Sequence, residues 1–235
     1  VLNLTLQIKV KQRLNKLDSQ DYDNIECWQI IEAFNRGQIM WCRRQLVGTN
    51  ILKQGDEQSK RRIDDLQILL NSQPVQMIKY DTYYESLNEL PENYMEFKRI
   101  DVYGTSECCK DPKPIVVYLV EEANIPILLR DKLKQPNFEW GETFGTLINN
   151  KIRIYTNNEF YIDNINLYYY RKPINIQITN CTDPYTGLIS TGDVECEFKD
   201  DITEVLISEA CKIISGDIES SNQYIMSNQQ GENNN

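Results

Sequence analysis

The chain has 235 residues, 40% apolar and 26% charged, with 14 tyrosines and a net charge of −10, which fits one large or two small folded domains and excludes a disordered chain. It holds no histidine, so Ser-His-Asp, Cys-His and histidine acid–base systems are impossible in cis, and no run of about 18 apolar residues that would span a bilayer. The acidic balance argues against sequence-specific DNA binding, which rests on neutralising phosphates with Lys and Arg.

Leu6, Val10, Leu14 and Leu17 fall on one face and predict a first helix, broken at Asp18–Asp21. A second helix is expected from the capping residues Asp23 and Asn24, with Ile30, Phe34, Gly37 and Trp41 as its stripe. Trp28, Ile31 and Met40 widen that stripe, so burial on more than one side is expected. Arg43 and Arg44 sit where cations suit the helix dipole, and Gly48 closes the helix. Ile63, Leu66, Leu69 and Leu70 predict a third helical stretch over 56–70, ended by Pro74. Arg61 and Arg62 with Asp64 and Asp65 allow ion pairs at helical spacing.

From about 75 to 180 the chain is rich in β-formers and turn residues. Val75–Tyr80 alternates, Leu90–Tyr94 reads as a turn, and Ile115–Val120 is a β-branched run. Lys151–Tyr155 and Phe160–Tyr170 flank Thr156–Glu159, which reads as a hairpin loop. Ile174, Ile176 and Ile178 alternate with Asn175 and Gln177, predicting a half-buried strand. Asp200 or Asp201 caps a last helix carrying Ile202, Val205, Leu206 and Ile213, and the tail 227–235 is polar. No internal repeat is present. The expected fold is α+β: a helical bundle from the N-terminal and C-terminal segments with an inserted, mainly antiparallel β region. The expected division is a helical segment over 1–72, a β-rich insertion over 73–199, a helical segment over 200–226 completing the bundle, and the tail 227–235.

Seven cysteines, with no continuous apolar leader before them, lead us to expect reduced thiols. Without histidine a zinc site would need four thiolates together, and no spacing suggests one, so neither metal nor cofactor is expected. Phosphate-cradling glycine loops are missing too. The carboxylate pairs Asp64–Asp65, Glu121–Glu122 and Asp200–Asp201 fit solvated faces or helix caps better than acid–base work, and no enzyme is expected. Residues 1–62 carry eleven basic and seven acidic groups (+4), while 63–235 carry fourteen and twenty-eight (−14), together the stated −10. Opposite local charge of this kind favours association between copies.

The runs Ile8–Asn24, Trp28…Ile31–Arg36 and Trp41–Leu46, continued by Gly48–Ser59 and Arg62–Leu70, resemble the opening of head-to-tail connector proteins of crAss-like bacteriophages. More distantly, the helices, Leu90–Pro91…Tyr94, the β insertion and the late acidic helix are similar to podovirus head–tail adaptors. That resemblance implies a virion structural protein at the head–tail junction, assembled in the bacterial cytoplasm. It implies a homo-dodecameric ring beneath the portal protein, touching further tail proteins, with genomic DNA passing through its channel without sequence recognition. No membrane partner is implied. Trp28, Trp41, Arg43, Arg44, Arg61 and Arg62 are the candidate contacts between subunits. Ile218, Tyr224, Ile225 and Met226 are the candidate portal contact, so truncation after Gly216 is expected to weaken portal attachment. The alternatives are a tail-tube, stopper or other tail ring protein, a carboxylate-based hydrolase, and a monomeric binding module.

Overall fold

A computed structural model of the chain describes residues 3–15, 25–48 and 60–217, together with Ile225 and Gln229. The chain divides into two compact units, one formed by Val1–Ile68 with Pro173–Asn235 and the other by Leu69–Lys172.

The helical unit holds α1 (Asn3–Asn15), α2 (Cys27–Val47), α3 (Lys60–Leu66) and α5 (Asp200–Asp217). Leu6, Val10 and Leu14 are buried along one face of α1, as their spacing dictates. Ile30, Phe34, Trp41 and Cys42 do the same on α2. α5 packs against both. Its Val205, Leu206, Ile207, Ala210 and Cys211 are all buried, so this helix is enclosed nearly all round. Gly37 lets α2 approach α5 closely: a Cβ there would lie 3.5 Å from the Glu209 Cβ and 3.6 Å from the Ala210 nitrogen. α2 begins at Glu26, whose N–H donates to the Gln29 side chain at 3.0 Å. It ends at Gly48, left-handed at φ 77°, whose N–H donates to the Arg44 carbonyl. The expected caps Asp23 and Asn24 lie outside the described residues, as does Leu17.

The second unit is an eight-stranded mixed sheet. Its strands are β1 (Leu70–Pro74), β2 (Met77–Lys79), β3 (Tyr83–Ser86), β4 (Tyr94–Thr105), β5 (Lys113–Leu119), β6 (Glu142–Ile148), β7 (Lys151–Tyr155) and β8 (Tyr161–Arg171). Their order is β1-β8-β4-β5-β6-β7-β3-β2, antiparallel except for β5 beside β6. The parallel pair needs a crossover, which contains a 3-10 turn (Glu122–Asn124) and α4 (Ile125–Arg130).

Topology forces this sheet to curl. Laid flat, eight strands at about 4.8 Å spacing would put the two edges about 34 Å apart. Yet the edge strands β1 and β2 are joined only by Val75 and Gln76, a link that spans at most about 10 Å. The edges must therefore come together. The Val75 N–H still donates to Ile165 of β8 at 3.0 Å, and Gln76 already accepts from Leu87 beyond β3 at 2.8 Å. One bent segment thus serves both sides of a half-barrel. Its interior is filled from alternate positions: Ile100 and Val102, Ile115 and Val117, Ile152 and Ile154, Ile165, Leu167 and Tyr169. Each such side chain, fully buried, contributes about 1.5–3 kcal/mol. A smaller cluster of Ile125, Phe144 and Tyr155 lies under Tyr83, Val120, Leu128 and Leu129.

This architecture corrects the expectation of a helical bundle with a β insertion: a curled mixed sheet of eight strands dominates, and helices are few. Three local readings change with it. The third helix ends at Leu66, passes through a 3-10 turn and enters β1 at Leu70. β7 and β8 do not form a hairpin, since β7 pairs with β3 and β6 while β8 pairs with β1 and β4. The segment Ile174–Ile178 belongs to no strand of the sheet, Gln177 making an isolated bridge to Val194, and it groups with the helical unit. Among the described residues no helix is long and apolar enough to cross a membrane.

Candidate interaction surface

The segment that follows Lys172 takes its hydrogen-bond partners from α1, from α2 and from the chain just before α5. The Ile176 N–H donates to Asn35 Oδ1 at 2.8 Å, and Asn35 Nδ2 donates back to the Ile176 carbonyl at 3.3 Å. One side-chain amide thus stands in for a neighbouring strand. Gln177 exchanges main-chain bonds with Val194 at 3.1 and 2.9 Å, and Asn3 Nδ2 donates to the Gln177 carbonyl at 2.7 Å. A disulfide joins Cys181 to Cys27 at the start of α2. The expectation of seven reduced thiols is therefore corrected: sequence gives no hint of a pair 154 residues apart.

The chain then turns back at Asp183–Leu188. The Asp183 carboxylate accepts from the Tyr185 N–H at 2.9 Å and from the Thr186 hydroxyl at 2.8 Å, which holds its pKa below the ordinary carboxylate value. Gly187 occupies φ 69°, where a side chain would be strained. The turn leaves Tyr185 80% and Leu188 70% exposed, with Ile189 beside them. Tyr185 meets the Trp28 ring edge-on at 6.4 Å. Between turn and helix lies a groove of about 540 Å³, walled by Trp28, Ile31, Tyr185, Leu188 and Ile189. Three of its polar lining groups are committed, Asn35 to Ile176, Asp183 to its own turn, and Ser190 Oγ to the Gly192 carbonyl at 3.0 Å, while Glu32 and Asn175 line it as well. Most of the open lining is apolar, which suits a protein side chain better than a polar metabolite.

A second apolar surface lies on the sheet unit, around a cavity of about 290 Å³ lined in part by Tyr118, Leu128, Leu133, Trp140 and Phe144. Leu133 is 74% and Trp140 57% exposed. Both are fixed by side-chain caps: the Leu133 N–H donates to Asp131 Oδ1 at 3.0 Å, and the Trp140 N–H to Asn137 Oδ1 at 2.9 Å. Neither residue is loose; the backbone presents it.

Of the residues singled out in the sequence, Trp28 lines the first groove. Trp41 does not face a neighbour: it is 2% exposed and packs edge-on against Phe198 at 5.4 Å. The Arg44 guanidinium pairs within the chain with Glu209. Arg43 is exposed on α2, and Arg61 lies 3.7 Å from Asp65. The Arg62 side chain, Ile218, Tyr224 and Met226 lie outside the described residues, and Ile225 is exposed. Tyr185, Leu188, Leu133 and Trp140 were not singled out; the signals present were the turn sequences Asp183-Pro184…Gly187 and Asn137…Gly141 that flank them. The carboxylate pairs of the helical unit gather around Lys199: Asp64 bonds its ammonium, and Asp65 and Asp201 add to raising its pKa. Asp200 and Asp201 sit in the first turn of α5, and Glu121–Glu122 precede α4 in the other unit. Among the described residues no group of three or more Cys, Asp or Glu is placed to hold a metal ion. Compared with known proteins, the chain matches no family model and no curated protein.

Proposed function

We propose that this chain is a virion structural protein, a subunit of a head-to-tail connector ring that docks beneath a bacteriophage portal. The supporting observation is a pair of unlike apolar surfaces: Trp28, Tyr185, Leu188 and Ile189 on the helical unit, and Tyr118, Leu133 and Trp140 on the sheet unit. A closed ring is built from heterologous contacts, in which one patch of a subunit meets a different patch of the next. A protein that worked alone would lose stability and solubility by exposing both. The occupant of each surface is therefore a second copy of this chain. The acidic stretch after residue 62 fits a channel that lets DNA slide, since a basic wall would retain it.

The experiment mixes the purified chain with purified portal and images the product. Decorated portals carrying a closed ring are expected. Leu188→Asp and Leu133→Asp each bury a charge in the contact, so each variant should fold normally and leave the ring incomplete. Bare portals with the natural chain, or full rings with both variants, would overturn the proposal.

A further inference from the structure

The hairpin between β4 and β5 ends in adjacent cysteines, Cys108 and Cys109, both exposed. The connector reading makes no use of them. Their loop is tightly closed: the Ser106 N–H donates to the Cys109 carbonyl at 3.0 Å, and the Cys109 N–H returns to the Ser106 carbonyl at 3.2 Å. This closure sets the two sulfurs side by side, 3.7 Å apart, with Ser106 Oγ 3.1 Å from the Cys108 sulfur. Cys108 Sγ thus meets two groups, the Ser106 hydroxyl, which can donate to it, and the Cys109 sulfur, to which its own thiol donates, while Cys109 has only its neighbour.

We propose that this tip is a thiol–disulfide exchange site, in which Cys108 attacks a low-molecular-weight disulfide and carries the resulting mixed disulfide. The Cys108 thiolate attacks one sulfur of the disulfide. A new S–S bond forms to Cys108, the old S–S bond breaks, and the released thiolate takes a proton from solvent. The small disulfide is the oxidant, and the balance is one protein thiol and one disulfide giving one mixed disulfide and one small thiol.

Three observations support the assignment. The Ser106 hydroxyl, 3.1 Å away, stabilises the Cys108 thiolate and lowers its pKa, whereas the neighbouring Cys108 raises that of Cys109. Other charges act in opposite directions: Glu139 opposes ionisation of Cys108, Asp111 opposes that of Cys109, and Lys113 favours it. Second, the competing thiols are out of reach. Cys42, Cys196 and Cys211 are buried, and desolvation pushes all three pKa values up, that of Cys211 to about 12. Cys27 and Cys181 are already paired. Third, the mixed disulfide should persist instead of collapsing onto Cys109. Adjacent Cα atoms across a trans peptide are about 3.8 Å apart, short of the roughly 4.4 Å that an ordinary disulfide needs.

The test incubates the full chain with oxidised glutathione and follows it by intact mass and peptide mapping. One glutathione per chain, on Cys108, is expected. Cys108→Ser should slow adduct formation at least about tenfold, Cys109→Ser should keep it within about threefold, and Ser106→Ala should slow it by about threefold at neutral pH. An adduct found first on Cys109, an internal Cys108–Cys109 disulfide as main product, or a rate indifferent to Ser106→Ala would overturn the proposal. So would equal reaction at the buried thiols.

Discussion

Arg44 of α2 and Glu209 of α5 face each other in a two-pronged ion pair, with Nη1 to Oε1 at 2.9 Å and Nη2 to Oε2 at 3.0 Å. The Glu209 side chain is only 3% exposed, next to the point where Gly37 lets the helices meet. The pair clamps the α2–α5 contact and fixes its register. Removing one partner leaves a buried charge without compensation, which costs about 3–5 kcal/mol. Arg44→Met should therefore shift the urea midpoint strongly downward. Arg44→Met combined with Glu209→Leu should recover most of the loss. An Arg44→Met protein as stable as the natural one would show that the pair contributes nothing.

The Cys27–Cys181 bond anchors one wall of the groove on the helical unit. Restricting the unfolded chain by a disulfide is worth about 2–4 kcal/mol. Cys27→Ala with Cys181→Ala should lower stability by that order. It should also speed amide exchange at Thr179–Ser190 more than at β4 or β8. Uniform exchange changes across the chain would mean that the bond does not act locally.

Gly145 of β6 leaves no room for a side chain: a Cβ there would lie 2.8 Å from the Arg153 carbonyl oxygen and 3.3 Å from Val117. The nearer neighbour is backbone of a paired strand and cannot swing aside. Gly145→Ala should cost about 1–3 kcal/mol by overpacking. Gly192→Ala, with nothing within 4 Å, should be nearly neutral in the same denaturation assay.

Burial raises the Tyr94 hydroxyl to about 12, with Glu96 adding to the effect, and burial also raises Tyr84 and Tyr155. In the unfolded chain these phenols ionise near pH 10, before they do so in the fold. Their contribution is thus complete below pH 10 and disappears as pH rises toward the folded values, so stability should fall through that window. Tyr94→Phe should flatten part of the fall, measured as urea midpoints at pH 8 and pH 11. An unchanged slope would contradict the burial of this ring against Tyr169.

The stripes of α1 and α2 were legible because their burial follows a 3.6-residue period, whereas α5 buries Val205–Cys211 without a break, which no one-faced stripe foretells. The run at Ile115–Val120 was legible from its β-branched composition, while the alternating burial of Ile115 and Val117 in β5 was not, because every residue of the run is apolar. β4 was not, because three register shifts interrupt its pairing with β8 and scramble the two-residue alternation. The β6–β7 hairpin turns on Asn149 and Asn150, both left-handed at φ 50° and 60°, while a similar Asn157–Asn158 pair joins strands that do not pair at all. A local turn signal cannot tell these cases apart. Ile174–Ile178 alternates like a strand, but side chains of two helices, Asn3, Asn35 and Gln38, bond to it, and Gln177 pairs through main chain with Val194. The apolar surfaces were missed because Tyr185, Leu188, Leu133 and Trp140 stand in loops without periodicity, and only folded backbone reveals their exposure.

Contact between unlike patches is tested most directly by mixing the two patch variants. Leu188→Asp retains the surface around Leu133 and Trp140, and Leu133→Asp retains the surface around Tyr185 and Leu188. Native mass spectrometry on portal should then find no complete ring with either variant alone. The equal mixture should give paired subunits, one of each variant, and nothing longer, because each such pair forms a single intact contact and stops. Complete rings from either variant alone, or like-with-like pairs in the mixture, would contradict a head-to-tail connector.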